Sequence, residues 1–411
     1  MSTTIIAKPL TKAEFAPYGK VIEPYDKNEE CLKFWNFEKP EENVLDINYL
    51  RPDSNTVFID YDTEDKNQRY KMMLRNPGGA WPAVVMTSPD GIHWENLKHT
   101  FVIEDRSTIF YNPFRKKWVF SIRQGRVDKE KGWLRARNYL ECDDFMSGMT
   151  GDGKDAVLWL SADSDNKKNP YIGFEPQVYN VDAVAYESIM LGMFQIMYGP
   201  ENNVCEENSI PKITELIPIY SRDGFHFSRP SEKSIIQASL TEGSWDKGYV
   251  QSVGGVCTVH DDELWIYYIG FAGKEDAKGE IFENGMYGNA ATGIAKLRRD
   301  GFVSLNTEEK GELVTRKLTF SGDKKYMFAN FSGTLSAEIT DADGNILAKS
   351  SKISDDSTAK MLDFGDFNIS GLNGNTFRIK FTLECGKLYS FWFSDKETGE
   401  SGGYSAAGLV K

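Results

Sequence analysis

Carboxylates offer the chemistry that is easiest to place in this sequence. Aligned on the apolar runs that follow them, Asp53-Ser-Asn-Thr-Val-Phe58 lies over Asp105-Arg-Ser-Thr-Ile-Phe110, and Glu187 precedes Ser-Ile-Met190 in the next comparable unit. Val184, Ala185, Ile189 and Met190 surround Glu187 with apolar side chains, an environment that raises a carboxyl's pKa and suits a general acid. Arg106 follows Asp105 and would keep that carboxylate ionised. An acid and an ionised partner brought together from different strands form the pair that acid/base hydrolysis requires. Asp53 would then be the nucleophile or the base. Each of the three can also be a strand-end carboxylate that closes a turn or pairs with arginine.

The elements that must position them repeat. Thr87-Ser-Pro-Asp-Gly-Ile-His-Trp94, Ser221-Arg-Asp-Gly-Phe-His-Phe227 and Arg299-Asp-Gly-Phe-Val-Ser-Leu305 are versions of one phrase, and 138–145 is a worn fourth. Asp-Gly suits a tight turn and the following aromatic packs back on a sheet, so the phrase, with His93 and His226, reads first as scaffold. Upstream of each lies a hairpin. Thr56–Asp60 returns through Arg69–Leu74, Thr108–Tyr111 through Trp118–Ile122, Ser188–Leu191 through Met193–Met197, and Gly255–Val259 through Leu264–Tyr268. Four such sheets cannot bury both faces alone, and radial stacking solves this, which predicts an all-β chain built on a β-propeller. In a propeller the start of each innermost strand lines the channel, so Asp53, Asp105 and Glu187 would converge there. From about residue 311 the phrase stops. Short alternating runs such as Thr334–Ile339 and Leu388–Phe393 then predict a β-sandwich. The expected division is 1–50 as a leader or incomplete first blade, 51–310 as the propeller and 311–411 as the sandwich.

Composition removes several function classes. Against 61 Asp plus Glu stand 48 Lys plus Arg, and a net charge of −13 disfavours nucleic acid and anionic lipid as partners. No apolar run reaches the ~18 residues of a membrane span, and the first residues do not resemble a secretory signal, so a cytoplasmic location is expected. Five widely spaced cysteines without a Cys-x-x-Cys pair predict reduced thiols and no zinc site. No metal or other cofactor is expected.

The order of Ser88-Pro-Asp-Gly-Ile-His-Trp94, Asp105-Arg-Ser-Thr-Ile-Phe-Tyr-Asn-Pro-Phe-Arg115, Ala185-Tyr-Glu-Ser188, Val250-Gln-Ser-Val-Gly-Gly255 and Leu297-Arg-Arg-Asp-Gly-Phe302 resembles bacterial proteins similar to glycoside hydrolase family 32. The resemblance spans roughly residues 50–411. It implies a five-bladed propeller with a trailing β-sandwich and a site of two Asp and one Glu from successive inner strands. The chain lacks that family's Trp-Met-Asn-Asp-Pro-Asn-Gly nucleophile motif. The implied activity is hydrolysis of a furanoside or small oligosaccharide, in which one carboxyl protonates the leaving oxygen and another attacks or activates water. The alternative is a propeller that binds carbohydrate without cleaving it. In either case Arg106, Tyr186 and Gln251 would hydrogen-bond sugar hydroxyls and Trp245 would stack on a sugar face. Separately, Pro9-Leu-Thr-Lys-Ala-Glu-Phe-Ala-Pro-Tyr-Gly-Lys-Val-Ile-Glu23 resembles the opening of ureidoglycolate lyases. The rest of that His-rich fold has no counterpart, because only His93, His99, His226 and His260 are present.

Overall fold

A computed structural model describes residues 6–9, 53–75, 82–91, 93–148, 150–231, 233–273 and 285–406, with backbone alone at 6–9, 53 and 285. The chain is nearly all β. A short strand β1 (Ile6–Pro9) is followed by blade one: β2 (Asp53–Ile59), β3 (Tyr70–Arg75), β4 (Pro82–Ser88) and β5 (Glu95–Val102). Blade two holds β6 (Thr108–Asn112), β7 (Lys117–Asp128), β8 (Gly132–Cys142) and β9 (Val157–Ser161). Blade three holds β10 (Gln177–Glu187), β11 (Ile189–Gly199), β12 (Ile213–Ser221) and β13 (Ile236–Gln237). Blade four holds β14 (Gly248–Ser252), β15 (Thr258–His260), β16 (Glu263–Phe271) and β17 (Ala290–Arg298), and β1 pairs antiparallel with β17 at its edge. The N-terminal strand therefore covers the outer edge of the last blade, which would otherwise expose unpaired backbone groups. The rest of the expected first blade, and most of the lyase-like stretch, falls outside the described residues.

Blades stack through shared apolar layers. Met73, Val85, Ile109, Trp118 and Phe120 join blades one and two, while Val184, Leu191, Val250, Leu264 and Tyr268 join blades three and four. Along β10 every residue from Gln177 to Tyr186 is buried, the mark of an inner strand covered on both faces. The third hairpin differs from the expected one. β11 runs unbroken from Ile189 to Gly199, and the turn lies at Glu187-Ser188, between Tyr186 and Ile189, which pair. Gly192 is not a turn residue: a Cβ there would lie 2.8 Å from the Asp182 carbonyl oxygen and 2.8 Å from Ile219 Cγ1. Its missing side chain lets neighbouring strands close up.

Two copies of the phrase fold alike. Ser88 Oγ accepts from Gly91 N and Ser221 Oγ from Gly224 N, each at 2.8 Å, with the glycines at φ 79° and 78°. Asp90 and Asp223 each accept from the backbone N–H three residues on at 2.8 Å and lie 2.7 Å from that histidine's Nδ1. The third copy departs: Asp300 accepts instead from the Tyr186 hydroxyl and, at 2.5 Å, from Ser390 Oγ.

Ser390 belongs to the C-terminal unit, formed by β18 (Leu305–Val314), β19 (Tyr326–Asp341), β20 (Ile346–Lys349), β21 (Ile353–Met361) and β22 (Phe377–Ser394). These join into a single sheet rather than two. Bulges in β19 near Phe331 and Thr334, together with Gly333 at φ 94° and Cys385 at φ 45°, curl the sheet around Phe331, Leu335, Ile339, Phe377 and Phe381. One curled sheet thus encloses the core that the predicted sandwich was to cover. Arg298 Nε donates to Asn330 Oδ1 at 2.7 Å, and Asn330 Nδ2 donates to the Arg299 carbonyl at 2.7 Å, which locks this unit to blade four. Finally, β23 (Tyr404–Ser405) returns to pair with the end of β10.

Candidate functional site

Cross-blade hydrogen bonds mark the polar end of the channel. Arg106 N donates to Ser54 Oγ of blade one at 2.8 Å, and Arg106 Nη2 to the Ser252 carbonyl of blade four at 3.1 Å. Thr108 Oγ1 donates to the Val181 carbonyl of blade three at 3.1 Å. Residues near 54, 105–108, 177–182 and 249–252 therefore face one another. Asp105 lies here, less than a third exposed, and forms its ion pair with Arg123 of β7 rather than with Arg106. Arg106, with φ 58°, is turned by its left-handed backbone across the channel. Asp53 opens β2 next to Ser54, so its backbone stands at the same end.

Blade three contributes a carboxylate that the sequence alignment missed. Asp182 is 3 % exposed; its Oδ2 accepts from Ser252 Oγ and, at 2.8 Å, from Asn180 Nδ2, while Oδ1 has no partner. Behind it Arg137, with no exposed surface, donates through Nη2 to the carbonyls of Arg106 and Tyr179 and to Asn180 Oδ1, at 2.5, 2.7 and 2.6 Å. Burial, with Arg123 next, pushes the Arg137 guanidinium down to about 9. Lys212, equally buried, lies 5.1 and 4.9 Å from the ring centres of Tyr179 and Tyr249, and its Nζ donates to Tyr179 Oη at 3.2 Å. The signal for Asp182 was present: Tyr179-Asn-Val-Asp182 alternates at the start of an apolar run that is itself the inner strand.

Glu187 is placed elsewhere. It ends β10 in the two-residue turn at φ 49°, five residues beyond Asp182 and so about 16 Å along an extended strand. There it lines a cleft of ≈ 920 Å³ between blades three and four and the curled sheet, with Arg299, Asp300, Tyr220, Tyr389 and Trp392. Arg299 Nη2 lies 3.1 Å from Glu187 Oε1. Burial raises the Glu187 pKa and the Asp300 charge adds to it, against hydrogen bonds from Ser401 and Arg299. Tyr186 is buried beneath the cleft with its hydroxyl on Asp300. The three expected residues are therefore divided, with the backbone of Asp53 and the Asp105 carboxylate at the channel's polar end and Glu187 in the cleft. Among the expected sugar contacts, Arg106 and the buried Gln251 belong to the channel end. Trp245 packs on Tyr268, ring centres 5.0 Å apart, within blade four. Among the described residues no three His, Cys, Asp or Glu side chains gather as a metal ion would need, and no helix is long and apolar enough to cross a membrane.

No family model matches the chain, and no curated protein matches it. Solved structures with a similar course include carbohydrate-active enzymes. A family 43 arabinoxylan arabinofuranohydrolase from Bacillus subtilis, in complex with cellotetraose, is 10 % identical over 85 % of this chain and 80 % of its own, with a TM-score of 0.34. A family 32 β-fructofuranosidase from Bombyx mori is 10 % identical over 88 % and 97 %, with a TM-score of 0.31. An N-acetylgalactosamine deacetylase from F. plautii, in complex with blood group B trisaccharide, is 13 % identical over 64 % and 78 %, with a TM-score of 0.42. At such identities these likenesses assign neither a substrate nor a catalytic residue to this chain. The lyase-like opening finds no support in them.

Proposed function

We propose that the protein is a glycoside hydrolase acting on a furanoside or small oligosaccharide at the polar end of the propeller channel. The observation that carries this reading is the hydrogen-bonded cluster that joins Asp182 through Asn180, Ser252 and Arg137 to Arg106 and Ser54, beside which Asp105 pairs with Arg123. Asp105, ion-paired with Arg123, is suited to stabilise positive charge on an oxocarbenium-like transition state. Asp53 begins the neighbouring inner strand, where a base or nucleophile would stand. Two carboxyls are candidates for the proton donor. Asp182 shares the channel with Asp105, and Glu187 has the raised pKa but faces the cleft.

A screen of aryl furanosides and aryl pyranosides tests the reading, with Asp182→Asn and Glu187→Gln assayed beside the wild type. Asp182→Asn is expected to lower turnover by about 10²-fold or more on substrates with poor leaving groups, and less on activated ones. Glu187→Gln is expected to change turnover less than threefold or so. The opposite pattern returns the acid role to Glu187 and moves the site to the cleft. A second reading, binding without cleavage, is favoured by the engagement of both channel carboxylates, Asp105 by Arg123 and Asp182 by Ser252 and Asn180. Binding of a sugar with no turnover of any aryl glycoside would establish it.

A further inference from the structure

The polar end of the channel carries more positive charge than hydrolysis of a neutral sugar would use. Arg106, Arg123, Arg135, Arg137 and Lys212 gather there, and among the described residues Glu104, Asp105 and Asp182 oppose them. This happens in a chain whose net charge is −13. The excess is therefore local, and the rest of the composition does not explain it.

The donors are also under-used. Arg137 has no hydrogen-bond partner for Nε or Nη1, and the buried Nε atoms of Arg106 and Arg135 have none either. Arg135 rests on the Trp133 ring, 5.5 Å from its centre, and spends Nη1 on Gln177 Oε1 at 2.8 Å. Buried N–H groups without acceptors are costly, and clustered guanidiniums repel one another. Burial lowers the Arg123 pKa and the neighbouring Arg135 lowers it further, while Arg123 does the same to Arg137. An oxyanion placed beside Arg123, Arg106 and Arg135 would offset that repulsion, because a guanidinium fork matches carboxylate, sulfate and phosphate oxygens. Arg123, 13 % exposed on its side chain, is the member a ligand would reach first. Arg137 would act from beneath, through its field.

We infer that the channel site takes a sugar bearing an anionic substituent, a carboxylate, sulfate or phosphate ester, seated against the guanidiniums of Arg123, Arg106 and Arg135. This inference rests on the carbohydrate reading above and names its substrate class.

Isothermal titration of the full chain with four matched aryl glycosides tests it: one uncharged, one a uronate, one a sulfate ester and one a phosphate ester. At least one anionic arm is expected to bind about tenfold or more tightly than the neutral one, and which arm does so identifies the substituent. Raising the salt from about 50 mM to about 300 mM should narrow the gap, and Arg123→Gln should abolish it. Thermal stabilisation of the wild type by the anionic ligand over the neutral one gives the same answer without a variant. Equal or tighter binding of the neutral sugar overturns the inference, as does a preference that survives Arg123→Gln. Cleavage of neutral glycosides without preference would sink this inference and leave the hydrolase reading intact. Anionic binding without cleavage in any arm would do the reverse, and no binding in any arm would remove both.

Discussion

β10 carries two carboxylates five residues apart, Asp182 and Glu187, and their surroundings are opposed. Asp182 is buried among donors, with a serine hydroxyl and an asparagine amide on one oxygen and the Arg137 charge behind it. Glu187 is a quarter exposed, shares its cleft with Asp300, and has its carboxyl pushed up by burial. The same chemical group, moved along one strand, passes from a cation-rich pocket to a cleft that favours its proton. Position along an inner strand, more than residue type, sets what a propeller carboxylate can do.

The largest expected effect tests whether Asp182 balances the buried charge. Asp182→Asn keeps the shape and an acceptor but removes the carboxylate charge that acts on the Arg137 guanidinium, at an expected cost of about 3 kcal/mol by urea unfolding. Glu187→Gln should stay within about 1 kcal/mol, because its ion pair is partly solvated. Similar losses from both variants would break the contrast between the two ends.

The cations give a smaller version of the same comparison. Lys212 stands among Tyr179, Tyr249 and Tyr287 with 1 % exposure, whereas Arg299 at the cleft is 27 % exposed. Lys212→Met should cost about 2 kcal/mol through lost cation–π attraction and the lost bond to Tyr179, while Arg299→Met should cost about 1 kcal/mol or less. Paired urea titrations of the two variants measure this difference. A cleft variant that loses more than the cage variant would show the cleft to be the tighter electrostatic unit.

The propeller was legible because its hairpins at Thr56 and Thr108 are short alternating runs, and because Asp-Gly turns recur; of the expected 255–259 run only the end is strand, within Thr258–His260, since Gly255 lies in a turn. Asp105 was legible for the same reason, since its strand begins three residues later. The third hairpin was not. From Val178 to Met197 almost every side chain is buried on both strands, so alternation marks no boundary, and Gly192 looks like a turn although it serves strand packing. The true turn, Glu187-Ser188, contains neither Gly nor Asn, although Glu187 adopts the left-handed conformation those residues favour. That single shift put Glu187 in the channel and hid Asp182. Arg123, Arg137 and Lys212 could not be found locally, because their importance comes from partners in other blades. The curl of the C-terminal sheet was equally hidden, since bulges in β19 leave the alternation on either side intact.

The smallest expected effect is a dependence on pH at the cleft end of β10. Burial, helped by the Asp300 charge, holds the Glu187 carboxyl above its ordinary value, so the folded protein keeps that proton more firmly than the unfolded chain does. Stability from this group is then complete below the unfolded value of about 4.3 and is lost as the pH rises through the folded value. Glu187→Gln imitates the protonated form at every pH. The variant should therefore match the wild type near pH ~4 and melt above it near pH ~7.5, where the wild-type carboxylate is ionised in its cleft. Melting curves of both proteins across that interval measure the difference. A variant that is less stable at the higher pH would mean that pairing with Arg299 outweighs burial, and Glu187 would then be a carboxylate held in its charged form.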